Sequence, residues 1–113
     1  MRRSDLGEFE EIVLLAVAVF SPEAYSVVIA EELEQQTGKS VTTGAVHAAL
    51  QRLEKKGMVT SQMGEATSER GGRRKRIFKV TVAGSRLLHE VRDVRNNLWS
   101  RIAPRALPKI KTT

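Results

Sequence analysis

The stretch Val41-Thr-Thr-Gly-Ala-Val-His-Ala-Ala-Leu-Gln-Arg-Leu-Glu-Lys-Lys-Gly57, continued by Met58-Val-Thr-Ser-Gln-Met63, decides the fold, because the period of its apolar residues changes between the two halves. Val46, Leu50 and Leu53 recur at helical spacing and mark one buried face. A threonine hydroxyl at its start caps the helix, and Gly57 ends it. The opposite face carries Thr43, Gly44, His47, Ala48, Gln51, Arg52 and Lys55, a polar surface slim enough to enter a groove. Beyond Gly57 the helical period is lost, and Met58–Met63 and Arg76–Thr81 predict two short strands.

Between the strands, Gly64-Glu-Ala-Thr-Ser-Glu-Arg-Gly-Gly-Arg-Arg-Lys75 has the composition of a loop. Arg70, Arg73, Arg74, Lys75, Arg76 and Lys79 place six bases within ten residues, with no acid among them. Gly71 and Gly72 let the backbone come close to phosphates there. Each phosphate neutralised releases a counterion, so binding through this loop depends on salt.

Two helices precede the deciding stretch. Ser4, Asp5 and Glu8 form a helix-start signal with Asp5 as the cap. The following Ile12–Phe20 is apolar on all sides, which in a soluble chain means a central helix or a subunit contact, and Ser21-Pro22 ends it. The second helix runs from about Ser26 to Thr37, with Val28, Ile29 and Leu33 inside and Gly38 as its stop. After the hairpin, Leu87, Leu88, Val91, Val94, Leu98 and Ile102 predict a fourth helix that stops near Pro104.

Three helices followed by a hairpin with a basic loop is the order of a winged helix-turn-helix, a mainly α fold with one small β-hairpin. At 113 residues the chain holds one such unit. The expected division is a DNA-binding domain over residues 1–82, a C-terminal dimerisation helix over 83–103 and a flexible tail over 104–113. Charge is distributed accordingly. The net charge is +6, yet residues 1–38 carry eight acids against Arg2 and Arg3, whereas residues 39–113 carry seventeen bases against five acids. Such a surface suits a polyanion, and nucleic acid is favoured over an anionic membrane because the bases are not laid along one amphipathic helix.

The stretches Gly44-Ala-Val-His-Ala-Ala-Leu-Gln-Arg-Leu-Glu-Lys-Lys-Gly-Met-Val59 and Gly71-Gly-Arg-Arg-Lys-Arg-Ile-Phe-Lys-Val-Thr-Val-Ala-Gly84 resemble the PadR family of bacterial transcriptional regulators. Leu6-Gly-Glu-Phe-Glu-Glu-Ile-Val-Leu-Leu15 and Tyr25-Ser-Val-Val-Ile29 are similar to that family's first two helices, so the resemblance spans roughly residues 5–100. It implies a winged-helix homodimer on a palindromic operator, usually a repressor, often released by a small molecule. It further implies that Thr43, His47, Gln51 and Arg52 face the major groove and that Arg73, Arg74 and Arg76 are wing contacts. With Thr42 and Lys55 at the ends of the helix and Arg70 and Lys75 in the loop, these form the expected DNA-binding set. Three positions depart from the family's habit: His47 stands where tyrosine is common, Ser26 where glycine is, and Val82 where proline is frequent.

The fourth helix suggests the second subunit. Leu87, Val91, Val94 and Leu98 alternate by four, three and four, a seam too short to be stable alone. With Phe9 and Val13 of the first helix and with Trp99 they make the expected dimer interface. An effector, if one binds, is expected at that interface near Phe9, Tyr25 and Trp99.

Other chemistries lack candidates. There is no cysteine, hence no disulfide or thiolate site. Gly38-Lys39-Ser40 imitates the end of a phosphate-binding loop, but Leu33 stands where its first glycine belongs. His89 and Asp93 lie one turn apart without a third ligand, and the glutamates of the first helix suit a solvated face or an interface. No catalytic constellation and no cofactor motif is present, so an enzyme is not expected. The longest apolar run, Ile12–Phe20, is nine residues where a membrane span needs roughly 20, and the chain reads as soluble and cytoplasmic. Two further readings remain open on sequence alone: a winged helix serving as a protein-interaction or ligand-sensing module, and an RNA-associated basic protein. A salt-titrated gel shift on random duplex separates the first from a DNA reader, and competition with single-stranded RNA separates the second.

Overall fold

Local chemistry sets where each element begins and ends. The computed structural model describes residues 6–64 and 75–110 in the order α1 (Glu8–Phe20), α2 (Ser26–Thr37), α3 (Thr43–Lys55), β1 (Val59–Met63), β2 (Arg76–Val80) and α4 (Val82–Ser100). α1 starts on an extended Gly7, whose N–H is received by the carboxylate of Glu10 three residues on, at 3.4 Å. The cap expected at Asp5 lies outside the described residues. α2 ends at Gly38 in the left-handed region, φ +70°, where a side chain would be strained. α3 is capped by Thr42, whose Oγ1 accepts the Ala45 N–H at 3.0 Å.

The core joins all of these elements. Val13, Leu14 and Val17 of α1 pack with Ile29 and Leu33 of α2, Val46, Leu50 and Leu53 of α3, Met58, Val59 and Phe78 of the hairpin, and Leu87 of α4. Each such side chain contributes roughly 1.5 to 3 kcal/mol when fully buried. α1 is the hub, touching α2, α3, β2 and α4. It is not buried all round, however: Leu15 and Val19 are 44% and 67% exposed, so its apolar surface divides into a core face and an open face.

The hairpin is antiparallel, with Val59 opposite Val80 and Met63 opposite Arg76. Ala24, just before α2, adds a single bridge to Phe78, whose N–H donates to the Ala24 carbonyl at 2.8 Å. The base of the wing is thereby tied to the start of α2.

α4 begins on Thr81, whose hydroxyl donates to the Gly57 carbonyl at 2.7 Å and accepts the Gly84 N–H at 3.0 Å. Its first turns pack on the domain through Leu87, Leu88 and Val91, and from Arg92 onward every described residue is exposed. The helix stops at Ser100, short of Pro104, where Arg101 closes the last turn on Leu98 and Trp99. Ile102, expected within the helix, lies beyond it.

Candidate nucleic-acid interface

α3 is pinned from within and open to solvent without. Val46, Ala49, Leu50 and Leu53 are buried, which turns Thr43, Gly44, His47, Ala48, Gln51 and Lys55 outward, all exposed. Gly44 and Ala48 lie on this outward side, and a β-carbon added at Gly44 would meet nothing within 4 Å. The glycine is therefore not required by the chain's own packing. What it leaves is a narrow surface with longer polar side chains around it.

Both flanks of α3 are braced by polar contacts. On the side toward α1, Arg52 Nε donates to Glu10 Oε2 at 2.6 Å and Lys56 Nζ to Glu10 Oε1 at 2.7 Å. Glu10 is only 7% exposed. Burial pushes its carboxyl pKa up, but hydrogen bonds from Lys56, Arg52 and the Gly7 N–H outweigh that and hold it below its ordinary value. On the side toward the wing, Arg76 Nη1 donates to Ser61 Oγ at 3.0 Å, and that hydroxyl donates to Glu54 Oε2 at 2.8 Å. The two strands and the helix are laced together at this point.

The expected DNA-binding residues thus fall into three groups. Thr43, His47, Gln51 and Lys55 share the outward face of α3, with Thr42 exposed at its N-terminal end. Arg52, Lys75 and Arg76 have partners within the chain: Glu10, Ser61 for Arg76, and for Lys75 the ring of Tyr25, whose centroid lies 4.1 Å from Nζ. Arg70, Arg73 and Arg74 lie outside the described residues. The residue missed by sequence reasoning is Glu10, read as part of a solvated face or an interface but folded inward. Its partners stand 42 and 46 positions away, so no local pattern announces it.

The residues expected at a subunit interface also separate. Val13 and Leu87 are 0% and 3% exposed, inside the chain's own core, and have no surface to offer a second chain. Phe9 and Val91 are partly buried, whereas Val94, Leu98 and Trp99 stand open at 41%, 62% and 66%. Between α1 and α4 run two adjoining grooves of about 340 and 320 Å³, both bordered by Glu11 and Arg95, which pair at 3.0 Å. Tyr25 is placed under Lys75 instead of beside these grooves. His89 Nδ1 lies 2.8 Å from the Ser85 carbonyl oxygen, and Asp93 accepts from Arg92. Among the described residues no group of three or more histidines or acids is assembled, and no helix is long and apolar enough to cross a membrane.

Comparison with known proteins agrees with this architecture. Three solved structures are similar to the chain: a PadR family transcription regulator from Clostridium difficile (17% identity, 83% of this chain and 93% of that one, TM-score 0.66), a PadR-like transcription factor from Bacteroides fragilis (21%, 81% and 84%, 0.65) and a PadR-like transcriptional regulator from Bacillus cereus (18%, 81% and 84%, 0.66). At such identities they establish the fold, a winged helix. Comparison with curated proteins returns no match. The family model described as "Transcriptional regulator PadR-like family" matches residues 14–90, from the core face of α1 through α2, α3 and the hairpin into α4. The chain belongs to the PadR-like family, whose members are transcriptional regulators and not enzymes.

Proposed function

We propose that this regulator binds duplex DNA as a homodimer, with α3 in the major groove and the basic hairpin on the phosphate backbone. The observation that carries the reading is the outward face of α3, where polar Thr43, His47, Gln51 and Lys55 surround the small Gly44 and Ala48 on a helix held rigidly from behind. A helix seated this way reads base edges by hydrogen bonding, each good contact being worth roughly 1 to 3 kcal/mol of discrimination. In this reading Thr42 supports the entry of α3, and Arg70, Arg73, Arg74, Lys75 and Arg76 supply the wing's positive charge.

One reading helix covers few bases, and a two-fold partner places a second one a helical turn of DNA away. The open faces of α1 and α4, with Leu15, Val94, Leu98 and Trp99, support such a partner, and the operator is then palindromic. Control is by repression, with residues 83–103 as the dimerising segment. An effector has a place in the grooves beside Glu11 and Arg95.

Selection of duplexes from a random pool by the purified protein, followed by footprinting, tests this directly. A palindromic consensus protected over two successive turns is the expected result, and His47→Ala or Gln51→Ala alters the preferred bases. Recovery of no consensus, together with salt-independent binding, would overturn the assignment.

A further inference from the structure

We propose that Glu10 is a specificity-determining residue that withholds Arg52 and Lys56 from the DNA backbone. The inference rests on the DNA-binding reading above and adds a role that none of the outward-facing residues performs.

Arg52 and Lys56 lie one helical turn apart at the C-terminal end of the reading helix, on the flank beside the outward face. Neither is sterically shut in: their side chains are 52% and 34% exposed. Both nonetheless pair with one carboxylate whose side chain is 9% exposed, and each takes a different oxygen of it. The Gly7 N–H adds a third donor, so Glu10 is anchored at the first turn of α1 and cannot follow the two cations outward without losing that bond. Lys55, between them in sequence, lies on the outward face.

The arrangement matters because unneutralised cations beside a reading helix attract phosphates of any sequence. Each phosphate contact adds about 0.9 to the salt slope of binding while carrying no base information. A genome offers roughly 10⁶ to 10⁹ competing sites, so the ratio of operator to random affinity is the quantity that matters. Glu10 lowers sequence-independent attraction at that end of α3 and leaves the recognition to His47, Gln51 and Lys55.

The test uses the full chain on two duplexes of equal length, the selected operator and a random sequence, across a salt series. Glu10→Gln keeps the shape and removes the charge. It is expected to bind the random duplex more tightly, to steepen its salt slope by about one to two units, and to lower the operator-to-random ratio. In Glu10→Gln/Arg52→Gln/Lys56→Gln the slope returns to that of the parent. Arg52→Gln alone, which leaves the Glu10–Lys56 pair to hold the fold, is expected to leave the slope unchanged. A slope shallower by about one unit in Arg52→Gln, or an unchanged slope in a folded Glu10→Gln, overturns the proposal while leaving DNA binding intact. Failure of the parent chain to bind either duplex overturns the DNA-binding reading and this inference with it.

Discussion

Gly84 lies so close to Met58 that a β-carbon on it would overlap the Met58 carbonyl oxygen and press on the Val80 side chain, 3.0 Å away. The first turn of α4 is thereby seated against the junction between α3 and β1, and Thr81, hydrogen-bonded to Gly57, fixes the same corner. Gly84→Ala is expected to push α4 outward and destabilise the fold by about 1 to 3 kcal/mol, as other overpacked contacts do. A denaturant titration checks it. A loss well below that range means the helix shifts without strain.

Trp99 and Leu98 present more than half of their surface to solvent at the far end of α4. With a second chain there, Leu98→Glu or Trp99→Glu places a charge in an apolar contact and is expected to shift the equilibrium to monomer, measured by sedimentation. Val13→Ala, by contrast, is expected to destabilise the fold by about 0.5 to 3 kcal/mol, in the range of most destabilising core changes, because Val13 is buried within its own chain.

The wing cations are expected to differ among themselves. Arg73→Ala and Arg74→Ala should each lower the salt slope of DNA binding by up to about one unit, across all sequences. Arg76→Ala should lower it less and also loosen the hairpin, because one of its nitrogens already holds Ser61. Equal slopes in all three variants and in the parent would remove the wing from the DNA surface.

Acid should release the brace between α1 and α3. The pKa of Glu10 is lower in the folded chain than its ordinary value of 4.5, so its ion pairs contribute stability above that pH and lose it as the pH falls through the folded value. In thermal melts the difference in stability between the parent and Glu10→Gln is expected to be full at neutral pH and to shrink below about pH 4.5. A difference that stays constant down to pH 3 would mean that the carboxylate's charge is not what holds the helices.

The order of elements was legible because each carries a local signature: helical spacing at Val46, Leu50 and Leu53, the change of period after Gly57, the left-handed stop at Gly38. The outward face of α3 followed from the same spacing. What could not be read was which polar residues would find one another. Glu10 with Arg52, Arg76 with Ser61 and Lys75 with Tyr25 are all pairings made by tertiary packing across long sequence separations. Nor does a uniformly apolar segment disclose its orientation: Val13 and Leu15 are equally hydrophobic, and only the docking of α1 decides that one is buried and the other open.

The bridge between Ala24 and Phe78 has a consequence for how copies of this chain can meet. It occupies the outer edge of β2 at its midpoint, so that strand offers no uninterrupted row of free backbone groups. The outer edge of β1 carries Thr60, Ser61 and Gln62, short of the apolar alternation on which strands template one another. Edge-to-edge extension of the sheet is disfavoured on both sides, which leaves the helical surfaces as the faces through which copies can meet.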